Sequence, residues 1–183
     1  MIRLTVLLLA TVAAAQAADL DLASSKITIH VEKSGLFSGF AHNHAIAAPL
    51  ASGTLDSDRR TIELKFRVAD MKVLDPEAGA SERAQIESTM KSEKVFDPAH
   101  YPEISFVSTS VQSTDATHFN VTGNLTLHGA TRPITMPVSH TNGHYTGKVS
   151  LKQTDYGMTP VKIAGGAVKV KDVVEVEFEI VQP

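Results

Sequence analysis

Most of this chain alternates apolar and polar side chains with a period of two, the pattern of strands that bury one face. In "TIELKFRVA" the residues Ile62, Leu64, Phe66 and Val68 share one side, while Glu63, Lys65 and Arg67 take the other. The C-terminal stretch repeats the pattern, with Val168, Val170, Val174, Val176, Phe178 and Ile180 inside and Glu175, Glu177 and Glu179 outside. "FNVTGNLTL" groups Phe119, Val121, Leu125 and Leu127, and "PEISFVSTSV" groups Ile104 and Phe106. Parallel strands buried on both faces would read as unbroken apolar runs, so the expected sheet is antiparallel. The expected strands lie near 26–32, 37–47, 50–56, 61–69, 103–112, 117–127, 131–140, 144–153 and 167–181. Asn142-Gly143 suits a tight hairpin with positive φ at both central residues, and the polar run from Leu55 to Thr61 makes another connection.

One segment departs from the alternation. "DPEAGASERAQIESTMKSEKVFDP" offers helix starts at Asp75-Pro76 or Ser81, and Ile86 and Met90 fall on one helical face. The helix is expected to end before Phe96. A long antiparallel meander with one inserted helix points to an all-β barrel or a strongly curved sandwich, since closing the sheet removes its edges. No repeat, linker or low-complexity tract divides the chain, so one domain is expected over 18–183.

The start changes the picture. "MIRLTVLLLATVAAAQA" has Arg3, a short apolar core and an Ala15-Gln16-Ala17 exit, the features of a secretory signal peptide cut after Ala17. Its apolar run is short for a membrane anchor. The expectation is an exported protein, periplasmic in a Gram-negative source. Loss of Arg3 takes the formal net charge from −3 to −4. That mild acidity, the absence of a basic run and the absence of tryptophan argue against a nucleic-acid partner. Without cysteine there is neither a disulfide framework nor a thiolate cluster. There is no phosphate loop, no nucleophile elbow and no evident acid pair, so the chain is read as non-enzymatic.

Three ordered stretches carry a resemblance to a known family: "MKSEKVFDPAHYPEISFVSTSV" (90–111), "VTGNLTLHGATRPITMPV" (121–138) and "TDYGMTP" (154–160). They resemble the YceI-like proteins, exported lipocalin-like barrels that bind polyisoprenoid lipids. With their spacing they cover the chain from about Ser25 to its end. Two departures mark a variant branch. Gln153 stands where many members carry arginine, and the second strand holds "GFAHNHAI".

In that strand Phe40, His42, His44 and Ile46 form one row, because residues two apart share a face. Apolar ends suggest that the row points inward. Neutral imidazole can donate and accept, so His42 and His44 are candidate contacts for a ligand head group such as a quinone carbonyl. They are equally well read as structural hydrogen-bonding groups. A third reading makes them ligands of a divalent transition metal, although stable sites usually add a third or fourth ligand. No carboxylate is evidently aligned with them or with His30, His100, His118, His128, His140 and His144. His128, before Gly129, is read as a corner residue, and His140 and His144 as solvated hairpin residues. Tyr156 and Met158 share a side and are candidate ligand contacts or core.

What the resemblance implies is a carrier that sequesters a polyisoprenoid or similar long-chain lipid, with no required cofactor. Phe40, Ile46, Phe66, Phe106, Met136, Tyr156 and Met158 are the expected apolar lining, and His42 and His44 the polar contacts. The implied partners are the isoprenoid lipid, an inner-membrane donor or acceptor protein, and a second copy paired mouth to mouth. The alternatives are a periplasmic metal- or redox-partner protein using His42 and His44, and a filled structural barrel.

Overall fold

The computed structural model describes residues 18–34, 43–163 and 168–183. In chain order its strands are β1 (Ala18–Asp19), β2 (Asp21–Val31), β3 (Lys33–Ser34), β4 (His44–Ala47), β5 (Leu50–Asp56), β6 (Thr61–Arg67) and β7 (Lys72–Val73). Helix α1 (Ala80–Met90) follows, then β8 (Glu103–Ser113), β9 (His118–Leu127), β10 (Ala130–Thr141), β11 (His144–Lys152), β12 (Lys162–Ile163), β13 (Val168–Val170) and β14 (Val173–Val181). Pairing is antiparallel throughout, in the order β1-β5-β6-β8-β9-β10-β11-β14-β2-β4-β7, with β12-β13-β3 as a small separate sheet.

The two ends of that order meet because β1 and β2 are separated by Leu20 alone. Ala18 and Asp19 pair with Leu55 and Thr54 of β5, while Thr28 to Val31 pair with Ala47 to His44 of β4. Leu20 N donates to Gly53 O and Ala48 N to Ile27 O, filling the interval. The stretch 18–31 therefore runs beside 44–55 on one edge and beside β14 on the other. This closes the sheet into an eight-stranded antiparallel barrel, the size whose interior is filled by side chains or holds one small ligand.

Inward rows follow the alternation read from the sequence. Phe66, Ile104, Phe106, Val121, Leu125, Met136 and Val138 are all buried. Two hairpins take the tight geometry that needs positive φ at both turn residues. Asn142 and Gly143 have φ of 50° and 79°, and His128 and Gly129 have 48° and 74°. The corner role read for His128 is what the structure shows.

Several boundaries differ from the sequence reading. Of the expected strand 37–47, the described part is His44–Ala47; 35–42 lie outside the described residues, as do the leader-like residues 1–17. The strand expected from 26 is β2, which begins at Asp21 and is preceded by the short β1, and β6 ends at Arg67 in a 3-10 turn over Val68–Asp70. The expected single strand 167–181 breaks at Lys171-Asp172. There Lys171 N donates to Glu32 O and the Asp172 carboxylate accepts from Thr154, so local polar bonds replace the ladder. Helix α1 starts at Ala80 with Gly79 as its N-cap, five residues after Asp75. Ile86 and Met90 do face the barrel interior.

Candidate functional site

The inward rows do not meet at the barrel axis. They enclose a cavity of about 850 Å³ whose middle wall is aliphatic and aromatic, and polar side chains enter it at the two ends. That volume lies in the range of pockets that take drug-sized and larger apolar ligands. One end, here called the helix end, is formed where β2, β6, β9 and β11 finish, and α1 presents Gln85, Ile86, Thr89 and Met90 to it. The other, the turn end, carries Asp56, Arg60, His140 and Tyr145.

Of the residues singled out in the sequence, His44, Ile46, Phe66, Phe106, Met136, Tyr156 and Met158 are brought together on this cavity wall. Phe40 and His42 lie outside the described residues. Two of the wall's rings fold over cross-strand glycines. A Cβ on Gly123 would sit 2.4 Å from Phe106 Cζ, and one on Gly147 would sit 2.6 Å from Phe178 Cζ. The glycines let these rings lie against the sheet and so widen the lumen.

His44 sits at the helix end, between the cavity and a groove on the outer wall. Its Nδ1 is 2.6 Å from Asp75 Oδ2, and Asp75 Oδ1 accepts the Ala45 N–H at 2.8 Å. Asp75 is buried, and a carboxylate oxygen accepts, so the hydrogen of this contact sits on Nδ1 and Nε2 is left free of Asp75. Among the described residues Nε2 has no partner. This carboxylate was missed in the sequence, where Asp75 reads as a helix start; four residues of loop instead separate it from α1 and turn it back toward β4.

The pairing of histidine with carboxylate recurs. His30 meets Glu177, His100 meets Asp97, His118 meets Asp115 and His144 meets Glu179. The expectation that the histidines lack aligned carboxylates is thereby corrected, because most of the partners lie on neighbouring strands or in turns. His140 is a further correction. It is half-buried, stacks on Tyr145 with centroids 4.3 Å apart, and lines the turn end of the cavity. Its parity with Met136 and Val138 was the available signal; only its nearness to the hairpin suggested a solvated position. His144 is exposed, as read.

Gln153 is buried at the helix end, its Nε2 donating to Lys171 O at 2.8 Å, so a neutral amide occupies this position. Tyr156 beside it is almost fully buried, and burial holds its hydroxyl above the ordinary tyrosine pKa. Its carbonyl accepts from His128 Nδ1 at 3.1 Å, and the His128 ring lies 4.4 Å from that of Tyr101, which pins the β9–β10 corner to the 3-10 turn over Gln153–Tyr156.

Among the described residues, His30, Glu175 and Glu177 are close enough to share a metal ion. They lie on the outer wall, and the Lys148 ammonium reaches both carboxylates at 3.1 and 3.3 Å. One of the two negative charges is therefore already balanced by a cation of the chain itself, which occupies the side of the carboxylates a metal would use.

A family model described as YceI-like domain matches residues 19–182. A curated relative, a UPF0312 protein of Pseudomonas savastanoi pv. phaseolicola, is 34% identical over 110 residues, which are 54% of this chain and 55% of the relative. The match thus spans about half the length of that relative. Among solved structures, BcnA of Burkholderia cenocepacia superposes with a TM-score of 0.65 at 22% identity, covering 90% of this chain and all of BcnA. A polyisoprenoid binding domain from Saccharophagus degradans, implicated in plant cell wall breakdown, gives 0.62 at 15% identity, covering 92% and 100%. At these identities the likeness is one of fold.

Proposed function

Since this chain belongs to the YceI-like domain family, we propose that it is a non-catalytic carrier that sequesters a polyisoprenoid or similar long-chain lipid in its barrel. The observation that carries this reading is the cavity: about 850 Å³, apolar along its middle, polar only toward its ends. Each methylene taken from water into such a wall contributes about 0.8 kcal/mol, so a long tail binds firmly with few polar contacts. The polyisoprenoid binding domain of like fold supports the same ligand class. Ile46, Phe66, Phe106, Met136, Tyr156 and Met158 serve as tail contacts, with Phe40 expected beside them. His44, oriented by Asp75, turns Nε2 toward a head group that carries a hydroxyl, such as that of a polyprenol, which can donate to it. Removal of residues 1–17 and residence in the periplasm complete the reading, with a membrane protein as donor or acceptor and a mouth-to-mouth homodimer as the means of enclosing a longer tail.

The test is native mass spectrometry of protein recovered from the periplasm without detergent or chelator. An added mass that fragments as a polyprenyl chain is the expected result, and a bare chain that also refuses added polyprenol would sink the proposal. A second reading is favoured by one contact. A histidine whose Nδ1 is held by a carboxylate is the usual arrangement of a metal ligand, so His44 with His42 could hold a divalent transition metal in a redox or metal-handling protein. One bound metal ion, lost in a His42→Ala, His44→Ala double variant, would decide for it.

A further inference from the structure

The sequence has no basic run, but the fold gathers lysines from distant segments around the helix end of the barrel. Lys152 ends β11, and Lys169 lies in β13; both line the rim of the cavity. Lys162 of β12 stands directly across from Lys169 in the small sheet. Lys94 is tied to the same region by its carbonyl, which accepts from Thr159 N. All four are exposed, and among the described residues none has a carboxylate within ion-pair distance. The nearby acids are largely engaged: Glu32 by Lys171, and Asp172 by the Thr154 hydroxyl and N–H. Glu82 of α1 also lines the rim, and the exposed Glu93 beside Lys94 and Asp155 in the turn after Lys152 are the further carboxylates at this end.

Like charges directly opposite one another on paired strands are destabilising. The Lys162–Lys169 pair is thus kept at a cost, while the outer wall of β14, β11 and β2 sets opposite charges across strands, as Lys148 with Glu175 and Glu177. The chain as a whole is acidic, at −3. Every charged residue of the small sheet is a lysine, Lys33, Lys162 and Lys169, so the positive charge of this end is concentrated there on an otherwise acidic chain. We propose that this lysine rim is a docking surface for an anionic membrane, seating the helix-end mouth of the cavity against lipid head groups. The lysines are spread across two sheets and a turn rather than converging on one point. That arrangement suits the diffuse charge of a bilayer, where each lysine near the surface adds about 1 kcal/mol. Docking would let an apolar tail pass between bilayer and barrel without crossing water. The purpose assigned to the surface rests on the carrier reading, whereas the charge geometry does not.

The experiment uses the chain from Ala18 onward, which holds all the barrel strands, in flotation with vesicles. Phosphatidylglycerol–phosphatidylcholine vesicles should bind it and pure phosphatidylcholine vesicles should not. Raising salt from about 0.1 M to about 1 M, which shortens the screening length from about 10 to about 3 Å, should release it. The Lys162→Gln, Lys169→Gln variant should bind the anionic vesicles about thirtyfold more weakly, with a melting temperature equal to or above the parent's, since a like-charge pair has been removed. A Lys26→Gln, Lys65→Gln control, on the outer wall, should bind as the parent does. Equal binding to both vesicle types, no binding to either, or indifference to the rim substitutions would overturn the proposal. Uptake of a fluorescent polyprenyl probe from detergent-free solution is measured in parallel. If the probe is refused while anionic vesicles still bind through the rim, the carrier reading fails and the docking surface stands.

Discussion

Replacing Gly123 with alanine isolates the device that widens the lumen. The new Cβ would lie 2.4 and 2.5 Å from Phe106 Cζ and Cε2, and 2.6 Å from the Val107 carbonyl oxygen. These are well inside contact distance, and only the ring can move; the carbonyl belongs to the ladder between β8 and β9. Phe106 must swing into the cavity, and the strand must still shift by some tenths of an ångström. Overpacking of this kind costs about 1–3 kcal/mol, which for a chain of this size lowers the melting temperature by about 3–10 °C. The assay is thermal denaturation followed by circular dichroism, with Gly79→Ser as a reference, since a Cβ at Gly79 meets nothing within 4 Å. A Gly123→Ala, Phe106→Leu double variant should recover the part of the loss that comes from the ring and leave the part that comes from the carbonyl. The same single variant should take up less polyprenyl probe, because the displaced ring occupies the lumen. If Gly123→Ala melts within a degree of the parent, the account of the glycine as a seat for Phe106 is wrong.

Three further outcomes are expected. Met136→Trp introduces a lone tryptophan into the cavity wall of a chain that has none; its emission should be blue-shifted and poorly quenched, with probe uptake reduced, and solvent-like emission would refute the placement. Asp75→Asn keeps an acceptor for the Ala45 N–H but turns a donor toward His44. The ring proton should then move from Nδ1 to Nε2, seen in the imidazole ¹⁵N shifts, with about 1 kcal/mol lost as a charge-assisted bond becomes neutral; an unchanged tautomer would contradict the assignment. Asp115 accepts from the Thr117 and His118 amides and the His118 ring, which hold its carboxyl at about 2 rather than 3.8. A depressed carboxylate stabilises the fold above its unfolded pKa, near 3.9, and that contribution disappears as pH falls through about 2. Carboxyl ¹³C titration should show a midpoint near 2 for Asp115, and one near 4 would remove the basis for this pH window.

The barrel walls were legible because period-two alternation is a local property. Ile62, Leu64 and Phe66 point inward by backbone geometry alone, whatever they meet there. Closure was less legible. It depends on 18–31 pairing with 44–55 on one side and with β14 on the other, which follows from no single segment. The same limit hid the Asp75 contact with His44, since a strand residue and a loop residue 31 positions apart meet only once β4 and β7 are paired. It also hid the lysine rim, whose members come from the turn after α1 and from β11, β12 and β13. His140 was misplaced for another reason: proximity to a turn was weighed above parity, although the alternation runs unbroken from Met136 through Val138. The break at Lys171-Asp172 was masked by valines on both sides, which continue the strand pattern across an aspartate that prefers to accept from Thr154.

The two ends of the cavity are not equivalent, and the difference bears on how the proposed lipid would lie. At the turn end several polar groups are already engaged, although among the described residues the Arg60 guanidinium and the His140 ring nitrogens have no hydrogen-bond or ion-pair partner. Asp56 is buried and accepts the Arg59 N–H at 2.8 Å, His140 is stacked on Tyr145, and the Tyr145 hydroxyl donates to Gln182 Oε1. A head group brought there would meet the buried Asp56 carboxylate beside the Arg60 guanidinium and the His140 ring. At the helix end His44 keeps Nε2 open, Gln153 has committed Nε2 but not Oε1, and Lys152 and Lys169 stand at the rim. More open partners stand at the helix end than at the turn end, so the tail is expected to point toward His140 and Tyr145, with the head group held near His44. That orientation also leaves the head group at the mouth the lysine rim would set against a membrane, so entry tail-first requires no reversal inside the barrel.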